Sequence, residues 1–461
     1  MRAYDEDTIA AISTPLGEGG IGIVRLSGPA AVAIVQGIFR STRCPDLRVA
    51  PTHALQHGYI LQPETNAVLD EVLVSVMRAP HSYTREDVVE INCHGGLLPL
   101  RNILDSVLRR GARLASPGEF TKRAFLNGRI DLAQAEAVID LIRAKTQAGL
   151  QLAAQQLQGK LSARVHGLHR RLKHLAATIE AAIDFPEDDI DLISPAQIAA
   201  ESDEMLAQLD LLLASAAEGK MVRDGLGVVI AGKPNVGKSS LLNVLLEEER
   251  ALVTPIPGTT RDTIEEYINL QGVPIRLIDT AGLRETADPL ERLGVGRSRE
   301  AIAQADLVLA LFDAAAPWTR EDTELLQAIA GKAMLAVLNK MDLPIILSAS
   351  AVAAQLPETV PVLPLSLKNQ NGLDQVKQAL VAQVLTAPLE SVEVTNSRHK
   401  QALTLARQSL AQAREAARAR MSLEFIALDF REALHHLGTI TGETTTEDLL
   451  TEIFATFCIG K

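Results

Sequence analysis

Gly232, Gly237, Lys238 and Ser239 stand in the spacing G-x-x-x-x-G-K-[ST], filled out by Lys233, Pro234, Asn235 and Val236 and followed by Ser240. Glycines at these places let backbone N–H groups close around a polyphosphate. A lysine reaches the β/γ-phosphates, and a serine hydroxyl ligates Mg²⁺. Asp279-Thr280-Ala281-Gly282 fits D-x-x-G, a carboxylate near the metal and a glycine whose N–H can meet a terminal phosphate. Asn339-Lys340-Met341-Asp342 fits N-K-x-D, whose last carboxylate can accept from the N1–H and 2-amino groups of guanine. Ser366-Leu367-Lys368 stands where S-A-K would back the base; Leu367 departs from that pattern.

Between the first two motifs lies Thr254-Pro255-Ile256-Pro257-Gly258-Thr259-Thr260-Arg261-Asp262, in the place of a switch I segment, with Thr260 the candidate second Mg²⁺ ligand. After D-x-x-G, where many GTPases carry a water-orienting Gln, this chain has Leu283. Water orientation must come from elsewhere. Arg284, Glu285 and Glu291 are the nearby polar candidates, and a monovalent cation held by Asn235 and switch I carbonyls could neutralise charge.

These motifs need rigid mounts. Residues 227–231 read as a buried strand and 240–246 as a helix, the strand–loop–helix order that the first motif requires. Apolar strands over 275–278, 334–338 and 362–365 precede the other three. Four motifs in order predict a Ras-like α/β P-loop domain selecting GTP over ATP.

The chain has 461 residues, too many for one core. A net charge of −12 argues against a non-specific nucleic-acid binder, so RNA contacts would be local. Cys44, Cys93 and Cys458 lie far apart and form no disulfide framework. The acidic N-terminus has no apolar signal region and no run of eighteen apolar residues occurs, so no membrane partner and a cytoplasmic location are expected.

Residues 1–120 mix short strands and helices: strands over 20–27, 70–77 and 87–93, helices over 29–39 and 96–110. Residues 131–185 carry helical spacing, and Ser194-Pro195 starts a further helix running to about 218. Helical patterning returns over 395–419 and 423–437. The expected architecture is multidomain. An α+β domain (1–120) precedes an all-α helical domain (121–220 and 386–461), into which the G domain (221–385) is inserted.

Four stretches extend the argument beyond general GTPase features: Gly22-Ile23-Val24-Arg25-Leu26-Ser27-Gly28, residues 117–128 (PGEFTKRAFLNG), Pro257-Gly258-Thr259-Thr260-Arg261-Asp262, and Phe457-Cys458-Ile459-Gly460-Lys461. Together they resemble the bacterial MnmE (TrmE) family of tRNA-modification GTPases along essentially the whole chain. The resemblance implies a tetrahydrofolate-binding-like, homodimerising N-terminal domain. It implies a flavoprotein partner, MnmG, which carries FAD. The pair would install an aminomethyl or carboxymethylaminomethyl group on C5 of the tRNA wobble uridine, with a 5,10-methylene- or 5-formyl-tetrahydrofolate as carbon source.

Position by position, Arg25, Glu90, Arg129 and Lys461 match folate contacts, Arg129 being Lys in some relatives. Asn235, Thr254, Ile256 and Thr259 match potassium ligands, and Glu291 matches the residue that positions water. Arg284 shares its segment, and Cys458 matches a near-terminal cysteine, either a nucleophile or a small packed residue. A regulatory or ribosome-assembly switch with docking flanks is the alternative. A folate-dependent aminomethyltransferase unrelated to RNA would leave the G domain unexplained.

Residues 141–179 hold no acid but carry Arg143, Lys145, Lys160, Arg164, Arg170, Arg171 and Lys173. Residues 398–420 have Glu415 as their one acid. These are either a tRNA phosphate surface or solvated helix faces. Cys93-His94 and the pair His166 and His169 lack the further ligands of a metal site.

Overall fold

The computed structural model describes residues 7–62, 64–184, 193–249, 266–278, 301–384, 389 and 392–461. The chain divides into two compact units, one of residues 1–139 with 438–461 and one of residues 140–437.

The first unit is built on strands β1 (Ile9–Ile12), β2 (Gly19–Ser27), β3 (Phe39–Arg40), β4 (Leu55–Leu61), β5 (Val68–Met77), β6 (Val88–Gly95) and β7 (Arg113–Leu114). Their spatial order is β3-β4-β5-β6-β2-β1-β7, antiparallel except for β1 with β7. The β2 pattern explains the layering: Val24 and Leu26 are buried, while Ile21 is 67% exposed. Helices α1 (Ala31–Gln36) and α2 (Leu97–Arg109) cover the buried face, where Val24, Leu26, Val74, Ile91, Leu100, Ile103 and Val107 form the core. Helix α1 is shorter than the expected 29–39, because Gly37 caps it and Phe39 joins β3. Two helices follow, α3 (Glu119–Leu126) and α4 (Leu132–Arg143).

The expected long helical run over 131–185 is broken into α4, α5 (Gln147–Leu157) and α6 (Lys160–Asp184). Thr146 caps α5 by accepting from Gly149 N–H, and Gly159 turns the chain at φ +88°. Helix α7 (Pro195–Ala214) starts as read, with Ser194 and Gln197 closing a capping box and Pro195 in the first turn. It stops at Ser215, and α8 (Ala216–Asp224) continues beyond the expected end at 218.

The second sheet contains β8 (Leu226–Ala231), β9 (Glu266–Leu270), β10 (Val273–Leu277), β11 (Leu307–Asp313), β12 (Met334–Asn339) and β13 (Val362–Pro364). Its order is β13-β12-β11-β8-β10-β9, parallel except for the β9–β10 hairpin. Alternate residues feed two cores. Val228, Ile230, Leu309, Leu311 and Val337 face one layer, and Val229, Val308, Ala310, Phe312 and Leu338 the other. Burial on both faces is why these strands read as unbroken apolar runs. The connecting helices are α9 (Lys238–Glu249), α10 (Arg320–Ala328), α11 (Ala349–Ala353) and α12 (Leu373–Ala382).

Helix α13 (Ser397–Arg418) packs along α7 through Ala402, Leu403, Ala406 and Leu410 against residues such as Met205, Leu206 and Leu209. After α14 (Leu423–Thr441), the chain closes with α15 (Glu447–Ala455). In the first unit, Phe454 and Phe457 bury against Leu132 and Ile139.

Candidate functional site

The nucleotide-motif residues gather at the carboxyl ends of β8, β12 and β13, where open parallel sheets bind ligands. A Cβ on Gly232 would lie 2.7 Å from the Leu311 carbonyl oxygen, and one on Gly237, at φ +104°, would lie 2.4 Å from Asn339 Nδ2. Both positions therefore exclude any larger residue. Between them Asn235 is exposed in a left-handed conformation, φ +62°, which asparagine tolerates, and Val236 is buried beneath it.

Helix α9 begins at Lys238, so its N-terminal end opens onto the loop together with Ser239 and Ser240. Lys238 Nζ donates to the carbonyls of Gly232 and Lys233, each at 2.8 Å, and burial lowers its pKa. The ammonium is thus folded over the loop where a phosphate oxygen would be met.

Asn339 ties the motifs together. Its Nδ2 donates to Val236 O at 2.7 Å, and its Oδ1 accepts from Leu367 N–H at 3.4 Å. The Leu367 contact is through backbone, so its departure from S-A-K leaves the link intact. Ser366 Oγ donates to Asp342 Oδ1 at 2.8 Å, which aims the exposed carboxylate while its other oxygen stays open to a base. Lys340 Nζ pairs with Asp313 Oδ2 at 2.7 Å, and Lys233 Nζ with the buried Asp322 at 2.9 Å. Asp313 and Asp322 were not singled out in sequence. The signal for Asp313 is its place at the end of the apolar run of β11. Lys368 is exposed at the loop tip. Thr254, Pro255, Ile256, Pro257, Gly258, Thr259, Thr260, Asp279, Thr280, Ala281, Gly282, Arg284 and Glu291 lie outside the described residues.

A second cluster forms in the first unit. Arg25 on β2 stands opposite Glu90 on β6, and its Nε donates to Glu90 Oε1 at 2.8 Å. Arg25 Nη1 also donates to the Gly460 carbonyl at 3.2 Å. Its guanidinium carbon lies 5.9 Å from the Tyr83 ring centre and 5.7 Å from that of Phe120. Arg129 covers the same Tyr83 ring at 4.8 Å and donates to the Tyr83 carbonyl. The terminal segment is pinned by Phe120 N–H to the Lys461 carbonyl and Gly118 N–H to the Cys458 carbonyl.

Burial and the neighbouring Arg25 charge depress the Lys461 pKa, while Cys458 and Glu90 act in the opposite direction. All four expected folate positions therefore meet in one place, with the exposed Cys458 beside them. Tyr83 and Phe120 set their rings against Arg25; sequence reasoning missed them as site residues, although aromatic residues are only 3% of the chain.

In the two basic stretches several cations meet acids of α7. Arg171 pairs with Glu201 and Glu204, Arg414 and Arg418 with Asp203, and Arg407 with Asp210. The acids of α7 thus neutralise Arg171 of α6 and Arg407, Arg414 and Arg418 of α13. His166 Nδ1 lies 2.7 Å from the Ser162 carbonyl, and no metal-ligand cluster occurs among the described residues.

Two family profiles match this chain. One is described as the MnmE helical domain, over residues 132–458, and the other as the GTP-binding protein TrmE N-terminus, over residues 8–129. Among full-length relatives, the tRNA modification GTPase MnmE of Thermoanaerobacter pseudethanolicus is 48% identical over 458 residues, covering 99% of each chain. That of Desulforamulus reducens is 47% identical over 459 residues, covering 99% of this chain and 100% of the relative. That of Geobacillus kaustophilus is 48% identical over 459 residues, covering 99% of each.

Proposed function

Because this chain belongs to the MnmE family of tRNA modification GTPases, a GTP hydrolase acting in tRNA modification, we propose the finer chemistry that its own residues support. The protein hydrolyses GTP with potassium assistance and, with a flavoprotein partner holding FAD, modifies C5 of the tRNA wobble uridine. A 5,10-methylene- or 5-formyl-tetrahydrofolate supplies the carbon. The observation that carries this reading is the convergence of Arg25, Glu90, Arg129 and Lys461 around Tyr83 and Phe120.

The residues fit such a donor. Glu90 offers a carboxylate to the hydrogen-bonding edge of a pterin, the two rings offer flat apolar surface, and Arg129 and Lys461 suit the carboxylates of a glutamate tail. Cys458 is exposed beside this cluster and is the candidate nucleophile, whereas Cys93 is buried with its thiol pushed up to about 11.

At the nucleotide site Lys238 and the start of α9 hold phosphates, Asp342 selects guanine, and Ser239 with Thr260 would ligate Mg²⁺, which supplies charge neutralisation at the phosphates when bound. Asn235, exposed at the loop tip, would hold potassium together with Thr254, Ile256 and Thr259. Glu291, with Arg284 in the same segment, takes the water-positioning role that Leu283 cannot fill.

The homodimer is part of the proposal. The sheet face bearing Arg25 and Glu90 continues across Ser75 to Leu55, and the same face carries Leu73 and Tyr59. Ile21, Leu55, Tyr59 and Leu73 are exposed there, an apolar surface suited to a second copy. The division into 1–120, 121–220, 221–385 and 386–461 is also proposed. No helix among the described residues is long and apolar enough to cross a membrane, and a cytoplasmic site of action is proposed.

Reconstitution tests the whole. The protein, its flavoprotein partner, tRNA, GTP, potassium and methylene-tetrahydrofolate are combined and the nucleosides analysed. A new C5-substituted uridine that depends on both GTP and the folate is expected. Product formed equally without the folate would reject the donor assignment.

A further inference from the structure

Within the second unit a cavity of about 570 Å³ opens between the α4–α5 junction, α8 and the β9–β10 hairpin. That is the size of a small-molecule site. Its wall holds five Lys or Arg side chains against three Asp. Two of the acids already have partners: Asp140 pairs with Arg223 at 2.8 Å, and Asp306 Oδ2 accepts from Gly227 N–H at 2.9 Å. Arg143 and Lys145 come from the helical side, Lys220 from α8 and Arg276 from β10. Lys145 lies over the Tyr267 ring of β9, so an aromatic face borders the cations. Gly149 and Gly225 contribute bare backbone to the lining. The cavity is also set apart from the P-loop: no residue of 232–240 or 339–342 lines it.

We propose that this cavity binds a small polyphosphate anion, free or attached to a nucleoside, at a site separate from the GTP site. The chemistry is that of several cations converging from four elements on one concave volume with net positive charge. A single surface lysine could not do this, and a long nucleic acid would need an open strip. The site touches β9 and β10, the strands that adjoin the switch I stretch and Asp279 in sequence, so its occupant would sit against the mounts of both.

The test uses the full chain saturated with GDP and Mg²⁺, so that the P-loop is filled, titrated calorimetrically with tripolyphosphate under excess Mg²⁺. One equivalent should bind. Lys220→Glu, at an exposed position that folding tolerates, should weaken it about tenfold, as should Arg276→Gln. Asp306→Asn should tighten it, since one negative charge leaves the wall while an oxygen remains for Gly227 N–H. Titration with ATP separates the two sources. Tighter binding that is lost in Tyr267→Ala assigns a nucleotide, and equal binding assigns the free anion. No heat from the GDP-loaded protein, or an isotherm unchanged by Lys220→Glu, overturns the proposal.

Discussion

Arg25 and Glu90 are cross-strand partners whose side chains meet at 2.8 Å, and the same guanidinium reaches the Gly460 carbonyl. One arginine thus joins the sheet to a segment far along the chain. Arg25→Ala should cost tetrahydrofolate affinity about one to two decades, the loss of a charge-assisted contact in a half-buried site. Binding of 5-formyl-tetrahydrofolate by calorimetry measures this. Basal GTP hydrolysis should be unaffected, and a parallel fall in both would reject a dedicated folate role.

Gly460 sits at φ +92°, and a Cβ there would lie 2.4 Å from the Ile12 carbonyl. Gly460→Val should displace the segment that carries Cys458 and Lys461. The expected result is weakened folate binding with nucleotide affinity preserved. Normal folate affinity in this variant would show that Lys461 is not a ligand.

Asp342 is held by Ser366 with one oxygen left for the base. Asp342→Asn replaces an acceptor by a donor, so GTP affinity should fall by at least about a hundredfold while xanthosine triphosphate, with a carbonyl at C2, should gain. Fluorescent-nucleotide competition reads both. Asp313→Ala, which frees Lys340, should give a smaller loss of about tenfold.

Arg123 is 2% exposed and meets Asp7, Glu86 and Glu119. Burial alone would raise the Glu119 carboxyl, but Arg113, the Ser116 N–H and Arg123 outweigh it and hold it below its ordinary value of 4.5. For Asp7 burial likewise opposes, and Arg113 and Arg123 bring it below 3.8. Carboxylates with depressed folded values contribute stability that is complete above their unfolded values and lost as pH falls through the folded ones. The first unit should therefore hold its stability above about pH 5 and lose it progressively below about pH 4.5. Arg123→Met should cost roughly 3–5 kcal/mol in denaturant unfolding at neutral pH and flatten that acid dependence.

Leu73 is 40% exposed in the middle of the apolar sheet face. Leu73→Asp should convert a dimer to monomers in light scattering without lowering GTP affinity. An unchanged mass would place the self-association surface elsewhere.

The expected nucleotide-site motifs are legible in the sequence because their chemistry is local. Gly232, Gly237 and Lys238 act within one loop, and strands buried on both faces announce themselves as apolar runs. What bridges the motifs was not legible. Asp313 and Asp322 lie in other elements, and only folding brings them to Lys340 and Lys233. Helix breaks at Thr146 and Gly159 were missed because the Ala/Leu/Gln pattern runs straight across them. The ion pairs of the basic stretches were illegible for the opposite reason: the acids that Arg171 and Arg414 meet sit on α7, outside both windows. The expected folate positions came from resemblance, since Arg25 alone reads as an ordinary strand charge.

The first unit is assembled from residues 1–139 and 438–461, with everything between them belonging to the other. On the ribosome, the early portion emerges and must wait while 140–437 is translated. During that interval the Phe120 N–H lacks the Lys461 carbonyl, and Leu132 and Ile139 lack Phe454 and Phe457. Protection of this region from hydrogen exchange should come late in synthesis, and a stalled nascent chain ending before residue 438 should be a chaperone client.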